Sequence, residues 1–240
     1  MKRGADAPAR VPSGPTLVQQ AMEKVNHYIH EQNLRVGDTL PGEAHFATTL
    51  GVSRAVMREA FRSLAALKRI EVANGRKARV AAADASLLAS TIDHALYTAQ
   101  ITVAEVWEVR RNLEMRTVEL AARHRTEAQA AHIVALAQRV TTATDFAALT
   151  RDDVAFHEAI AEASGNQLYL QIFRAFSPLM RVAVPKAWNS VSSKARRKTI
   201  VASHLRAAKA IRDRDPVAAV AAFTVHFDET VGAVLNSGEA

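Results

Sequence analysis

Apolar residues recur at three- and four-residue intervals along most of the chain, a spacing that places them on one face of an α-helix. Short apolar runs of strand length stand out only at residues 70–72 and 78–80. The pattern therefore predicts a mainly α protein. Besides a short helix that ends at residue 50, the predicted helices cover residues 16–33, 54–68, 86–97, 103–124, 126–141, 149–163, 166–187, 194–213 and 216–235.

A sharp turn separates two predicted helices in the first third of the chain. Gly51 suits this turn because glycine adopts a left-handed backbone at little cost, and Ser53 can cap the helix that follows. Arg54, Arg58 and Arg62 form an outward stripe on that second helix. Its inward face is apolar and consists of Val56, Ala60, Phe61, Leu64 and Leu67. This layout predicts a helix-turn-helix whose second helix enters a DNA major groove, N-terminal end first.

Asn74, Gly75, Arg76 and Lys77 lie between the two strand-length runs. Asn-Gly favours a tight turn, so the segment predicts a β-hairpin wing with basic residues at its tip. The alternative is an ordinary helical hairpin with a solvated charged face. The order of turn glycine, helix cap, arginine stripe and basic hairpin favours DNA binding, with the wing against phosphate or the minor groove.

The net charge of +7 is concentrated near the N-terminus. Residues 1–80 hold 13 Lys and Arg against 7 Asp and Glu, whereas residues 81–240 hold 18 against 17. A basic first third beside a nearly neutral remainder indicates a polyanionic partner for the N-terminal region. RNA, an acidic membrane or solubility alone would also account for such a patch, but the helix-turn-helix favours duplex DNA.

The chain has no cysteine, which excludes disulfides, thiolate metal ligands and cysteine nucleophiles. No apolar run approaches the roughly 20 residues of a membrane-spanning helix, so no membrane association is expected. Residues 1–15 lack the apolar core of a signal peptide and are predicted to form a disordered basic arm. We therefore expect a cytoplasmic protein.

From residue 101 onward one helix follows another, which predicts an all-α antiparallel bundle. Asp153 and His157 are four residues apart and so share one face of a helix. His204 and His226 fall in the last two predicted helices, which a tight turn would set side by side. One carboxylate and three imidazoles suit a divalent transition metal. The alternative, ordinary hydrogen-bonded interior histidines, is not excluded by spacing.

The N-terminal motifs are Leu-Pro-Gly-Glu at residues 40–43, Gly-Val-Ser-Arg at 51–54 and Met-Arg-Glu-Ala-Phe-Arg-Ser-Leu at 57–64. They resemble the DNA-binding domain of GntR-type bacterial transcription regulators. The resemblance implies that Arg54 and Arg58 read the major groove and that the turn around Gly75 approaches the minor groove. Two positions depart from the family pattern: Ala44 replaces a frequent arginine, and Lys77 replaces a second wing glycine.

The C-terminal motifs are Glu-Val-Arg at residues 108–110, Asp-Val-Ala-Phe-His at 153–157, Ala-Ser-Gly-Asn at 163–166, and His204 and His226. They resemble the FCD-type effector domain of the FadR-type branch of GntR regulators. Such domains commonly bind a metal through one Asp and three His, which implies Asp153, His157, His204 and His226 here. These ligands suit zinc, nickel, manganese or iron about equally well.

The same resemblance implies that the ion holds a small organic or sugar acid by its open coordination positions. Arg110 stands where the family often places an effector-contacting arginine, and a guanidinium grips a carboxylate with two parallel hydrogen bonds. A surface ion pair with Glu114, four residues on, is the alternative for Arg110. Asn166 either lines the effector pocket or caps the next helix.

Together these inferences divide the chain into a disordered arm (1–15), a winged helix-turn-helix domain (16–82), a helical linker (83–100) and a metal- and effector-binding helical domain (101–240). The expected function is a ligand-responsive transcription regulator that binds a palindromic operator as a homodimer. The resemblance implies repression that the acid relieves.

Two other function classes remain. A pure metal sensor would use the same four ligands, with the ion itself as the signal. A metal-dependent enzyme is not expected, because the sequence lacks His-Glu-x-x-His and a phosphate-binding glycine loop.

Overall fold

The structure is a computed structural model that describes residues 14–73, 75–143, 145–190 and 193–235. Within these ranges it describes only the backbone of residues 186–190, 194 and 231–235. Residues 1–13 of the predicted arm, and Asn74, lie outside the described residues. The elements are α1 (Leu17–Glu31), α2 (Glu43–Leu50), α3 (Arg54–Ala66), β1 (Ile70–Glu71), β2 (Arg79–Val80), α4 (Ser86–Tyr97), α5 (Val103–His124), α6 (Glu127–Thr142), α7 (Phe146–Ala163), α8 (Gln167–Ser190), α9 (Lys194–Arg212) and α10 (Pro216–Leu235).

Helix caps account for most of the helix starts. Thr16, Thr102 and Thr126 each form a capping box at the start of α1, α5 and α6. Helix α7 begins three residues earlier than predicted, because the Asp145 carboxylate accepts a hydrogen bond from the Ala148 N–H at 2.7 Å. The predicted mainly helical fold, with its bounds of α4, α5 and α10, is confirmed.

The chain divides into two compact units, residues 1–84 and 85–240. In the first unit α1 and α2 pack on α3 around a core that includes Val25, Met57 and Leu64, each fully buried. Strands β1 and β2 are antiparallel, with Ile70 opposite Val80. This register leaves residues 72–78 as the connection, so each strand is one residue shorter than the predicted runs 70–72 and 78–80.

The second unit is a helix bundle. Helix α10 packs against α5 and α9, α6 packs between α7 and α9, and α8 packs against α7 and α4. The segment predicted as a helical linker thus contains a helix, α4, that lies against α8. The core of this unit includes fully buried Val118, Ile133 and Phe156. Among the described residues, none of the helices combines the length and apolar content that crossing a bilayer requires.

Two arginines tie the ends of α5 and α9 together. The buried Arg125 donates to the Ile211 carbonyl at 3.3 Å and to the Arg212 carbonyl, at the C-terminal end of α9. Arg214 in turn donates to the carbonyls of Arg123 and Arg125, at 3.1 and 3.2 Å. The last carbonyls of a helix have no partner within the helix, and an arginine can supply one. These hydrogen bonds therefore fix the end of α5 next to the end of α9.

Candidate nucleic-acid interface and metal centre

The helix-turn-helix has the local geometry that its sequence predicts. Gly51 ends α2 with a left-handed backbone at φ +66°, and nothing lies within 4 Å of where a Cβ would be. The Ser53 hydroxyl then caps α3 by accepting a hydrogen bond from the Val56 N–H at 3.2 Å. Both residues therefore set the angle between α2 and α3 through local backbone contacts.

The outward face of α3 is basic and open. Arg54, Arg58 and Arg62 are exposed and follow at four-residue steps, so they share one face. Arg58 lies 3.6 Å from a Glu43 carboxylate oxygen, and Arg62 lies 3.7 Å from Glu59. Exposed ion pairs of this length stabilise a fold by under about 1 kcal/mol, so a phosphate or a base edge can replace either carboxylate.

The wing carries further cations. Gly75 has a left-handed backbone at φ +71°, and Arg76 and Lys77 are exposed beside it. Asn74, the remaining predicted wing residue, is outside the described part of the chain. Arg79 of β2 donates to the Gly37 carbonyl at 2.8 Å, which joins the wing to the turn before α2.

In the second unit, the four predicted metal ligands come together in the interior. Asp153 and His157 lie on α7, His204 on α9 and His226 on α10, and each is at most 5% exposed. One ring nitrogen from each histidine lies within 4.8 Å of the others. The Asp153 Oδ1 atom is 2.9 Å from His204 Nε2 and 3.9 Å from His157 Nε2. Residues up to 73 positions apart in the sequence thus lie side by side in the interior of the bundle.

The outer nitrogen of each imidazole has its own acceptor. His157 Nδ1 contacts the Glu114 carboxylate, and His204 Nδ1 is 2.9 Å from the Ile200 carbonyl. His226 Nδ1 is 3.3 Å from the Ser203 hydroxyl, which donates its own proton to the Ile200 carbonyl and so accepts from the ring. Each Nδ1 therefore carries the proton, which leaves the Nε2 lone pairs for the interior.

Two ring nitrogens of this histidine cluster lack an ordinary hydrogen-bond partner. His157 Nε2 is buried and has no hydrogen-bond partner. His204 Nε2 and Asp153 Oδ1 face each other at 2.9 Å. With its proton on Nδ1, a neutral His204 and a carboxylate would both be acceptors, so a proton or a cation must lie between them. Metal-binding histidines characteristically give their other N–H to a carboxylate, a carbonyl or a polar neighbour, as all three do here.

Aromatic side chains enclose the cluster. Phe156 lies 5.1 Å from the His204 ring, Phe223 lies 5.4 Å from the His157 ring, and Phe173 stacks on His157 at 6.3 Å between ring centres. These rings exclude water and strengthen electrostatic interactions inside.

The pKa values follow from this enclosure. Burial acts to raise the pKa of the Asp153 carboxyl, but the close contact with His204 Nε2 and the nearby imidazoles outweigh it and hold that pKa well below its ordinary range. Burial, and then repulsion from His204 and His157, lowers the pKa of His226 well below its ordinary range. An ionised carboxylate and a neutral imidazole are the forms that bind a metal ion.

Arg110 and Glu114 do form an ion pair, but it is not at the surface. Arg110 is 2% and Glu114 4% exposed, and the Arg110 Nε donates to the Glu114 carboxylate. The alternative considered for Arg110, a surface ion pair, is therefore right about the partner and wrong about the location, because both residues lie on the inward face of α5, in step with Val106, Thr117 and Ala121. That periodicity is visible in the sequence and could have placed Glu114 on the inward face of α5, although not beside a particular residue.

Asn166 is exposed and has capping contacts. Its Oδ1 accepts from the Leu168 N–H at 3.0 Å, and its own N–H donates to the Ser164 hydroxyl at 3.2 Å. Gly165 before it has a left-handed backbone at φ +75°, which ends α7 and allows α8 to start. The geometry therefore supports the helix-capping alternative for Asn166.

Comparison with known proteins gives two family matches. The gntR family of bacterial regulatory proteins matches residues 17–80, and the FCD domain matches residues 105–229. The HTH-type transcriptional repressor NanR of Salmonella newport (strain SL254) is 29% identical over 226 residues, which cover 88% of this chain and 83% of that protein. The NanR of Salmonella typhimurium is equally similar, with 82% of its length covered.

A solved structure supports the same architecture. The Streptococcus agalactiae GntR structure is 26% identical, with a TM-score of 0.64, and the match covers 90% of this chain and 99% of that one. The winged helix-turn-helix and helical bundle of this chain therefore occur together in a known fold.

Proposed function

The chain belongs to the gntR family of bacterial regulatory proteins and carries an FCD domain, and we propose that it is a metal-dependent, acid-responsive repressor of transcription. Its relatives and the solved structures similar to it are transcription regulators, not enzymes. The observation that carries the proposal is the convergence of Asp153, His157, His204 and His226. Repression as the direction rests on the relatives named transcriptional repressor NanR.

Operator DNA is the proposed partner of the first unit. The exposed Arg54 and Arg58 lie on the N-terminal half of α3, the part of a recognition helix that contacts base edges. We assign Arg62, Arg76 and Lys77 to phosphate contacts, which hold the protein in register but carry no sequence information. Ser53 is exposed and orients α3 through its cap.

We propose that the protein binds DNA as a homodimer on a palindromic operator. One winged helix covers few base pairs, and two copies across a two-fold axis double the number of base contacts. Duplexes selected by the protein from a random pool should then contain inverted repeats. Selection of single, unrepeated sites would contradict the dimer.

The residues of the second unit fit a divalent transition metal such as zinc, nickel, manganese or iron. Asp153, His157, His204 and His226 would hold it, with three Nε2 lone pairs and one ionised carboxylate. When bound, the ion would supply a Lewis-acidic centre with open positions for a carboxylate oxygen. The chain's own residues keep the site dry and fix the direction of each lone pair.

A small organic or sugar acid is the proposed effector. Arg110, with Thr117 and Tyr169, lines a cavity with room for about one water molecule. We propose that an acid enlarges this cavity and that Arg110 binds its second oxygen. Because the four candidate ligands are at most 5% exposed, entry of an acid requires the bundle to open. An acid can shift the protein between two arrangements only by its difference in affinity for them.

A thermal-shift screen of organic and sugar acids tests this proposal. The protein is compared as purified, after removal of metal by a chelator, and after reloading with zinc or nickel. An acid that stabilises only the metal-loaded protein supports an effector held on the ion. If metal alone raises the melting temperature and changes DNA affinity while every acid fails, the ion is the signal. Equal shifts with and without metal overturn a metal-held effector.

A further inference from the structure

Glu114 has one partner on each carboxylate oxygen, and both partners are buried. Oε1 accepts from Arg110 Nε, and Oε2 accepts from His157 Nδ1. Each oxygen thus accepts a hydrogen bond and one of the two donors is a guanidinium, which is the contact pattern of an ionised carboxylate. This carboxylate lies directly behind the ring of a candidate metal ligand.

Arg110 is held in place by aromatic rings. Its guanidinium carbon lies 4.9 Å from the centre of the Trp107 ring and 5.8 Å from the rings of Phe173 and Phe227. A guanidinium stacks well on aromatic faces, and this enclosure prevents Arg110 from reaching solvent. Phe173 also stacks on His157, so the same ring bounds both ends of the Arg110–Glu114–His157 chain.

We propose that Glu114 is a positioning residue of the metal site: it holds the His157 proton on Nδ1 and thereby directs the Nε2 lone pair at Asp153 and the other histidines. The inference rests on the proposed metal site. Its geometric basis is that His157 Nε2 is a buried nitrogen without a hydrogen-bond partner, while Nδ1 has a fixed acceptor. A carboxylate behind an imidazole fixes the ring and makes the opposite nitrogen a stronger ligand. Arg110 compensates the added negative charge.

The simpler interpretation is that Glu114 only neutralises the buried Arg110. In that case, removal of Glu114 would destabilise the fold, and so weaken zinc binding, by leaving a buried cation without a partner. Removal of both charges together would restore the stability and the zinc affinity. The positioning role predicts a different result for the pair, because the neutral amide of Gln is a weaker acceptor for His157 Nδ1 than a carboxylate, whether or not Arg110 is present.

Three variants separate these interpretations: Glu114→Gln, the double variant Arg110→Met with Glu114→Gln, and Glu119→Gln as the control. Glu119 lies on the same helix in an exposed pair with Arg116 and Arg123. Zinc affinity is measured by competition with a chromophoric chelator. We expect a 10- to 100-fold loss for Glu114→Gln that persists in the double variant, and wild-type affinity for the control.

The outcomes are distinct. Wild-type zinc affinity in Glu114→Gln, or recovery of that affinity in the double variant, overturns the positioning role and leaves the proposed metal site intact. Absence of zinc binding by the wild-type chain overturns the metal site and this inference with it. Thermal melts of the metal-free variants show whether the double variant regains wild-type stability while its zinc affinity stays low.

A spectroscopic readout addresses His157 directly in metal-free protein. Nitrogen-15 NMR of the imidazoles distinguishes the two neutral tautomers. We expect the His157 proton on Nδ1 in the wild-type chain and a mixture of both tautomers in Glu114→Gln. An unchanged His157 spectrum in Glu114→Gln would overturn the inference, since a merely structural carboxylate would not control the tautomer.

Discussion

In the first unit the candidate functional side chains lie at the surface, whereas in the second they lie in the interior. The Arg58 side chain is 61% exposed, and that of His204 is completely buried. An exposed arginine contributes little to the fold and is free to bind DNA. A buried histidine is both part of the core and a candidate ligand, so a substitution there is expected to change stability as well as metal binding.

The two cores should be independent. Leu64→Ala, at a fully buried position of the first unit, should lower its unfolding free energy by about 2–5 kcal/mol, because the substitution leaves a cavity. Ile133→Ala is the matched control in the second unit, at a position that is also fully buried. Urea denaturation combined with zinc titration checks the result. Loss of zinc affinity in Leu64→Ala would show that the units are not separable.

Adjacent carboxylates allow a sharp test of the interior site. Asp153→Asn should lower zinc affinity at least about 100-fold, more than the loss of an outer partner, because it removes a charged ligand. Asp152→Asn is its control: Asp152 is equally buried but pairs with Arg139 and Arg151. Zinc competition titrations measure both. Equal losses in the two variants would indicate a general effect of charge and not a ligand role for Asp153.

A substitution on the exposed face of α3 should change DNA affinity without changing the stability of the fold. Arg58→Ala should weaken binding to a selected operator by about 1–3 kcal/mol if it contacts a base, with little change in melting temperature. Lys24→Ala removes one exposed charge on α1 and is the control. Fluorescence anisotropy on operator and random duplexes measures the effect. Equal weakening on both duplexes would make Arg58 a phosphate contact.

The smallest expected effect concerns the turn. Gly51→Ala should destabilise the first unit by about 1–2 kcal/mol, since its left-handed φ of +66° disfavours a Cβ. Gly42→Ala, at a position with an ordinary φ of −73° and open space around it, should cost less. Thermal denaturation compares the two. Equal destabilisation would mean that backbone strain is not the reason for glycine at residue 51.

The same contrast explains what the sequence could predict. In the first unit the turn glycine, the helix cap and the arginine stripe each interact with residues only a few positions away. Their pattern can therefore be recognised in the sequence. Gly51 and Ser53 accordingly have the local geometry expected of them. The ends of the wing strands were less predictable: the ladder pairs Ile70 with Val80 and Glu71 with Arg79, and it leaves out Val72 and Ala78 of the predicted runs.

In the second unit, helix periodicity predicts which residues face inward but not which of them meet. Asp153 and His157 could be paired from their four-residue spacing, and His204 with His226 from the turn between their helices. Glu114 required the packing of α5 against α7, which no local pattern reveals. Its partner on α7 is 43 positions away, so the sequence offered only the Arg110–Glu114 pair, as an alternative at the surface.

We propose that an acid held at the buried metal site of the second unit controls how tightly the exposed arginines of the first unit bind DNA. The most direct test of this proposal measures operator affinity by fluorescence anisotropy, for wild-type chain and Asp153→Asn, each with and without zinc, and with and without an acid identified by thermal shift. The account predicts that the acid changes operator affinity only in the zinc-loaded wild-type chain. The same change in metal-free protein or in Asp153→Asn would contradict it.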